Sequence, residues 1–224
     1  MPQIKDVPTR TVAGAEDLLI MQDKETGETF NISKANLLAG LSSSEGGGGG
    51  TTVTQYNFAS VGDTNGVIYA IGTNKNTTAF SNPSLDNRIG VTSSSILNNN
   101  PFTKAFGRIP TVAHSLNGGI QWLKIDFGSN NKIKINKYII QGRDDFNGHH
   151  PRNWELQGSN DDASWAVIDS QVNNSSINQG TWFQSAVITS AILYRYLRVI
   201  QTGLNSSGDT YLALGQMEFY GELQ

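Results

Sequence analysis

No cysteine occurs anywhere in the 224 residues, which excludes disulfide staples and thiolate metal sites. Histidine is nearly as scarce, with three in the chain. No Gly-x-Ser-x-Gly, no His-Glu-x-x-His and no nucleophile paired with a base can be found, so no enzymatic activity is expected. Apolar runs approaching about 18 residues are missing, as is a charged-then-apolar leader, so neither a membrane span nor a signal peptide is expected. Charge is sparse and nearly balanced, with a net of −3, which leaves no electrostatic footprint for nucleic acid or for insertion at an anionic membrane. Glu, Lys and Leu, the helix-building residues, are thin on the ground.

Gly, Asn, Ser and Thr are abundant instead, a composition suited to a mainly β chain with many turns. The stretch from Gln121 to Gly158 is the most informative. In Trp122–Phe127 the apolar Leu123, Ile125 and Phe127 alternate with Lys124 and Asp126, and Ile133 and Ile135 alternate with lysines and Asn136. Such period-two alternation buries one face of a strand and wets the other. Trp154-Glu155-Leu156 makes a third strand, and before it lies RDDFNGHHPRN, residues 143–153, too polar to be core. Further strands are expected at 52–58, 66–72, 164–168, 182–183, 186–188, 194–200 and 216–220, with a loop-heavy region at 73–120. Trp154 and Trp165 are expected in the core because aromatics bury the most area, while Trp182 is open to either role.

Residues 1–44 form a smaller unit. Leu18-Leu19-Ile20-Met21, a turn through Gly27, and Thr29-Phe30-Asn31-Ile32 predict a hairpin, and Ser33 can cap a short helix carrying Leu37, Leu38 and Leu41 on one face. A unit of about 40 residues has too little core to stand alone, so it is expected to lean on other copies or on a larger assembly. Residues 45–50 hold five consecutive glycines, which predict a flexible linker. A phosphate cradle is rejected, since no Lys-Ser or Lys-Thr follows. Residues 51–224 form the main domain.

An ordered series of motifs carries a resemblance. Val91-Thr92-Ser93-Ser94-Ser95, Gln121-Trp122-Leu123-Lys124-Ile125-Asp126-Phe127-Gly128, Tyr138-Ile139-Ile140-Gln141-Gly142-Arg143, Pro151 to Asp161, Tyr194-Arg195-Tyr196-Leu197-Arg198-Val199 and Met217-Glu218-Phe219-Tyr220-Gly221 follow in sequence. This series resembles the discoidin family, also called factor V/VIII C-type domains, and the related galactose-binding-like carbohydrate-binding modules, over roughly residues 75–222. The resemblance implies an eight-stranded antiparallel jelly-roll sandwich whose loops at one end bind sugars, or in some relatives phospholipid heads or protein. Ala15 to Asp23 and Ile32 to Leu38 are similar to the start of many tailed-phage fibre and other virion proteins, where a hairpin and short helix anchor an appendage, often as a trimer.

In sugar-binding relatives the site takes a His before the QWL strand, an Arg at the end of the next strand, a nearby Asn and an aromatic from the last loop. The matching positions here are His114, Arg143, Asn147 and Tyr211. An aromatic face stacks on the C–H face of a pyranose, and planar polar groups read its hydroxyls. Two of these residues have a plainer alternative: Arg143 as an ion pair with Asp144 or Asp145, His114 as an ordinary loop or capping residue. His149-His150 with Asp144-Asp145 is read as a loop tip of solvated polar residues, because adjacent His side chains rarely converge on one metal. Several relatives hold a structural calcium through an Asp-bearing turn after Ala-Phe and an acid in the final strand. Here Ala105-Phe106 is followed by Gly107-Arg108-Ile109, and Gln216 stands where an acid would help, so no cofactor is expected. Adjacent acid pairs such as Asp144-Asp145 do not specify glycosidase spacing.

The reading is a phage virion appendage, head or tail fibre, located at the virion surface. Its partners are other virion proteins, copies of itself in a homotrimer, and a host cell-surface carbohydrate. The alternatives are a structural decoration or assembly protein with no sugar ligand, and an accessory carbohydrate-binding module.

Overall fold

The computed structural model describes residues 18–22, 29–33, 53–109 and 111–224. The chain divides into two compact units, Met1–Gly50 and Thr51–Gln224. In the first, β1 (Leu18–Gln22) and β2 (Thr29–Ser33) pair antiparallel, Leu18 opposite Ser33 and Gln22 opposite Thr29. The expected turn at 23–28, the helix after Ser33 and the polyglycine stretch lie outside the described residues.

The second unit is built on two antiparallel sheets. One holds five strands: β4 (Gly90–Ser93), β6 (Trp122–Asp126), β11 (Tyr196–Gln201), β8 (Trp154–Ser159) and β9 (Ala166–Gln171), in that spatial order. The other holds β10 (Trp182–Gln184), β7 (Ile133–Gln141), β13 (Met217–Leu223) and β3 (Thr54–Tyr56). A short pair, β5 (Ala113–His114) with β12 (Ala213–Leu214), closes one end. The two main sheets thus carry nine strands among the described residues, where the resemblance implies eight.

The alternation read from the sequence is realised. Leu123 and Ile125 of β6 and Leu197 and Val199 of β11 are fully buried, while Lys124, Asp126, Tyr196 and Arg198 lie on the outer face. From the other sheet Ile133, Ile135, Tyr138, Ile140, Phe183 and Phe219 join the same core. Rings meet across it: Phe127 and Phe219 have centroids 6.3 Å apart, Trp154 and Phe183 5.0 Å. Burying each such side chain contributes about 1.5–3 kcal/mol. Trp154 is core, as expected, and its Nε1 donates to the Tyr138 hydroxyl at 2.9 Å. Trp165 is not: it lies half-buried outside the five-stranded sheet, with the Arg198 guanidinium 4.1 Å from its ring centroid.

Two further expectations are corrected. Residues 66–72 do not form a strand, because Val67–Gly72 is a short helix, α1. Its apolar residues are too few for periodicity to separate helix from strand. A tertiary contact decides the matter: Glu218 of β13 accepts the Ile68 and Tyr69 amides, which at a helix start have no partner of their own. Residues 186–188 are irregular rather than a strand. Residues 53–74 belong to the sandwich, since β3 pairs with β13 and α1 covers that strand's outer face. This is why β13 is buried on both faces, with Glu218 and Tyr220 lying under residues 58–69.

Candidate functional site

The short β5–β12 pair brings the loop after Ser95 against the last loop of the sandwich. Ala213 stands opposite His114, the Ser115 amide donates to Leu212 O at 2.9 Å, and the Leu212 amide donates to Ser115 Oγ at 2.8 Å. His114 and Tyr211 therefore sit side by side, their ring centroids 4.8 Å apart. His114 is buried, and its Nδ1 lies 2.7 Å from the Ser115 carbonyl. A carbonyl only accepts, so Nδ1 carries the proton and Nε2 is left as an acceptor. Burial pulls the imidazole below its ordinary range, against the Ser115 bond, and keeps it neutral.

Arg143 enters from the opposite side, where β7 ends. Its Nε and Nη2 donate to the two oxygens of Asp145, each at 2.7 Å, and its guanidinium lies 5.3 Å from the Phe146 ring centroid. The ion pair weighed for Arg143 thus exists, with Asp145 and not Asp144, and it holds the Asp145 carboxyl below the usual carboxylate range. It also fixes the guanidinium plane, leaving Nη1 facing inward 3.5 Å from Nδ1 of His149.

His149 joins the two sides. Its ring stacks on Tyr211 at 4.6 Å and 29°, meets His114 edge-on at 5.3 Å, and faces Phe146 at 5.4 Å. Nδ1 is 3.2 Å from the free Nε2 of His114, and Nε2 is 3.4 Å from Asp209 Oδ2, a contact that carries charge only when both ring nitrogens are protonated. The backbone of His149 is left-handed, at φ 58°, and is pinned by its amide to Ser207 Oγ at 3.0 Å. A non-glycine residue held in that region costs on the order of 1 kcal/mol, and such strain collects where geometry serves a ligand. The last loop is fixed in turn by Asn205, whose Nδ2 donates to Tyr211 O at 2.9 Å.

His114, Arg143 and Tyr211 are therefore brought together as expected. Asn147 shares the loop and is exposed, but among the described residues no hydrogen bond ties its amide to the cluster. The reading of His149-His150 as a solvated tip is corrected. The two side chains part: His149 enters the aromatic cluster, and His150 is 1% exposed, with neither ring nitrogen bonded to protein. Adjacent residues point apart, the very argument that excluded a shared metal, and this could have marked one of the pair as a cluster member. Among the described residues no group of three His, Asp or Glu side chains is placed to hold a metal.

The calcium that the fold family implies does not fit either. The acid of the last strand is Glu218, not the Gln216 position, and the room beside it is filled by the Arg108 side chain. A groove of about 540 Å³ lined by Ile120, Glu155, Gln157, Ile200, Leu204 and Thr210 adjoins the Tyr211 loop. It offers no aromatic face, so the cluster, with planar rings, a fixed guanidinium and carboxylates, is the better equipped surface for a polyhydroxylated ring.

Residues 76–214 match the family model described as F5/8 type C domain. The chain is similar to E3 ubiquitin-protein ligase Ufd4 of Drosophila melanogaster, 27% identical over 186 residues, covering 77% of this chain and 7% of that protein. It is also similar to a BTB/POZ domain-containing protein of Arabidopsis thaliana, 27% identical over 172 residues, 71% of this chain and 21% of that protein. The chain thus spans only a small part of these relatives' length. Among solved structures, a Clostridium perfringens module in complex with GalNAc-β-1,3-galactose superposes with a TM-score of 0.50 at 13% identity, over 60% of this chain and 96% of that one. A second module, from a family 31 glycoside hydrolase of the same organism, gives 0.50 at 16% identity, over 60% and 91%. Both likenesses concern the fold.

Proposed function

This chain belongs to the F5/8 type C domain family, and from that premise we propose that it is a non-catalytic module that binds a carbohydrate at the Tyr211–His149–Arg143 cluster. The observation that carries the reading is the stack of His149 on Tyr211 beside a guanidinium held rigid by Asp145. The rings supply a flat apolar face, Arg143 supplies donors in a fixed plane, His114 backs the cluster from the buried side with its ring nitrogens turned to Ser115 and His149, and Asn147 adds an amide at the exposed rim. The sugar complex of the Clostridium perfringens module supports the ligand class.

We further propose that the module works at the surface of a phage virion, carried by residues 1–44 and presented in three copies. Support comes from the β1–β2 hairpin and from its similarity in sequence to virion anchoring segments. Repeated weak sites gain affinity through avidity, which suits such an arrangement. A screen of the multimerised protein against a broad glycan panel tests the first proposal, and silence across the panel sinks it. Native mass of the full chain tests the second: a trimer is expected, and a monomer at all concentrations removes the fibre reading.

A further inference from the structure

Glu218 is the most demanding side chain of the sandwich. It lies on β13 facing away from the core between the sheets and is 4% exposed. Its carboxylate accepts the amides of Ile68 at 2.8 Å, Tyr69 at 3.1 Å and Phe219 at 2.9 Å. Gly66 admits it, because a Cβ there would overlap the carboxyl carbon. Burial pushes its pKa up to about 7, against the pull of those donors and of Arg108.

Arg108 completes the arrangement. Its Nη1 is 3.6 Å from Glu218 Oε2, and its Nη2 donates to the carbonyls of Gly62 at 2.8 Å and Asp63 at 2.7 Å. The guanidinium also covers the Tyr69 ring at 4.8 Å. The Arg108 backbone takes φ 56°, a left-handed conformation that glycine adopts freely and a long side chain such as arginine disfavours. Two peptide carbonyls and a buried carboxylate thus face the Arg108 guanidinium, a set of hard oxygens whose chemistry suits a cation. A cavity of about 260 Å³ lined by Gly62, Arg108, Trp182, Gln216, Glu218 and Tyr220 opens onto it, with space for water molecules.

We propose that Arg108 is a built-in cation standing where a divalent ion would otherwise sit, and that removing its side chain converts the same oxygens into a calcium site. The intact protein is then closed at this point without metal. Water from the cavity would complete the six to eight oxygens that calcium takes.

Thermal melting of the full chain in EDTA and in millimolar calcium tests this. The wild type is expected to melt at one temperature in both. Arg108→Gly, which suits the left-handed backbone, is expected to melt lower in EDTA and to regain roughly 5–10 °C with calcium a hundredfold above its Kd. Terbium luminescence sensitised by Tyr69 and Trp182 should appear in that variant alone and vanish when Glu218→Gln is added. Arg108→Lys keeps a cation and is expected to stay indifferent to calcium. A wild type that binds one calcium and melts higher with it would overturn the proposal. So would an Arg108→Gly protein that neither binds terbium nor responds to calcium, including one that stays unfolded in both buffers.

Discussion

His149 and Tyr211 lie face to face, ring centroids 4.6 Å apart and planes 29° from parallel, although they come from different loops. Each ring keeps the other in place, so the two should act together in binding. Tyr211→Ala and His149→Ala are each expected to weaken glycan binding roughly tenfold, about the value of one aromatic contact, and the double variant by less than the product. Calorimetric titration with the best ligand from a glycan panel checks this. Strictly multiplicative losses would mean that the stack is incidental to recognition.

Arg143 is held by Asp145 through two parallel hydrogen bonds, a geometry that lysine cannot copy. Arg143→Lys should leave the melting temperature within about 3 °C, because a half-exposed pair contributes at most about 1 kcal/mol. Binding should fall nonetheless by roughly tenfold. Undiminished affinity in the lysine variant would reduce Arg143 to a structural ion pair.

The Tyr138 hydroxyl receives the Trp154 Nε1 proton and donates its own to Asp169 Oδ2 at 2.7 Å. Burial and the Asp169 carboxylate drive its ionisation far above the ordinary tyrosine range, so it stays a neutral relay between core and rim. Tyr138→Phe strands a buried indole N–H and is expected to cost about 1–3 kcal/mol, read from denaturant midpoints. Sugar affinity should not change, because the cluster lies beyond the end of β7.

His150 gives the pH dependence. Burial, reinforced by the charges of Arg152, Arg143 and His149, lowers its pKa from 6.5 to about 4. The folded state therefore prefers the neutral ring, and the unfolded chain binds a proton first. Its contribution is complete above about pH 6.5 and is lost as pH falls towards 4, on the order of 3 kcal/mol in all. His150→Leu should flatten the stability profile between pH 6.5 and 4 while leaving the value at pH 8 nearly unchanged. An identical acid limb in the variant would assign the loss to other groups.

Much of the scaffold was legible because it depends on local pattern. Leu123, Ile125, Ile133 and Ile135 declare their buried face by alternation, and the structure obeys it. His114, Arg143 and Tyr211 came from their places in an ordered set of motifs, and the loops do carry them to one spot. The failures share a cause. The helix at Val67–Gly72 exists because a carboxylate 150 residues away caps its first amides. His149 is central because Tyr211 and Asp209 wait for it on another loop, and Trp165 faces outward because Arg198 covers it. None of these partners is near in sequence, so no window along the chain could reveal them.

The pairing of β3 with β13 has a mechanical consequence. Thr54, which opens the sandwich, lies opposite Leu223, which closes it, and both sit at the Ile133 end of β7. Arg143 follows the other end, beyond Gln141, roughly 25–30 Å away by strand rise. A tension applied between the N-terminal side and a captured ligand therefore runs along the strands, and the bonds of the β3–β13 ladder share the load in shear. Pulled between Thr54 and Leu223, the same ladder would open from that pair one bond at a time. The β3–β13 ladder is thus arranged to resist a pull along the strands from Thr54 towards the proposed Arg143 site, and to yield to one that parts Thr54 from Leu223.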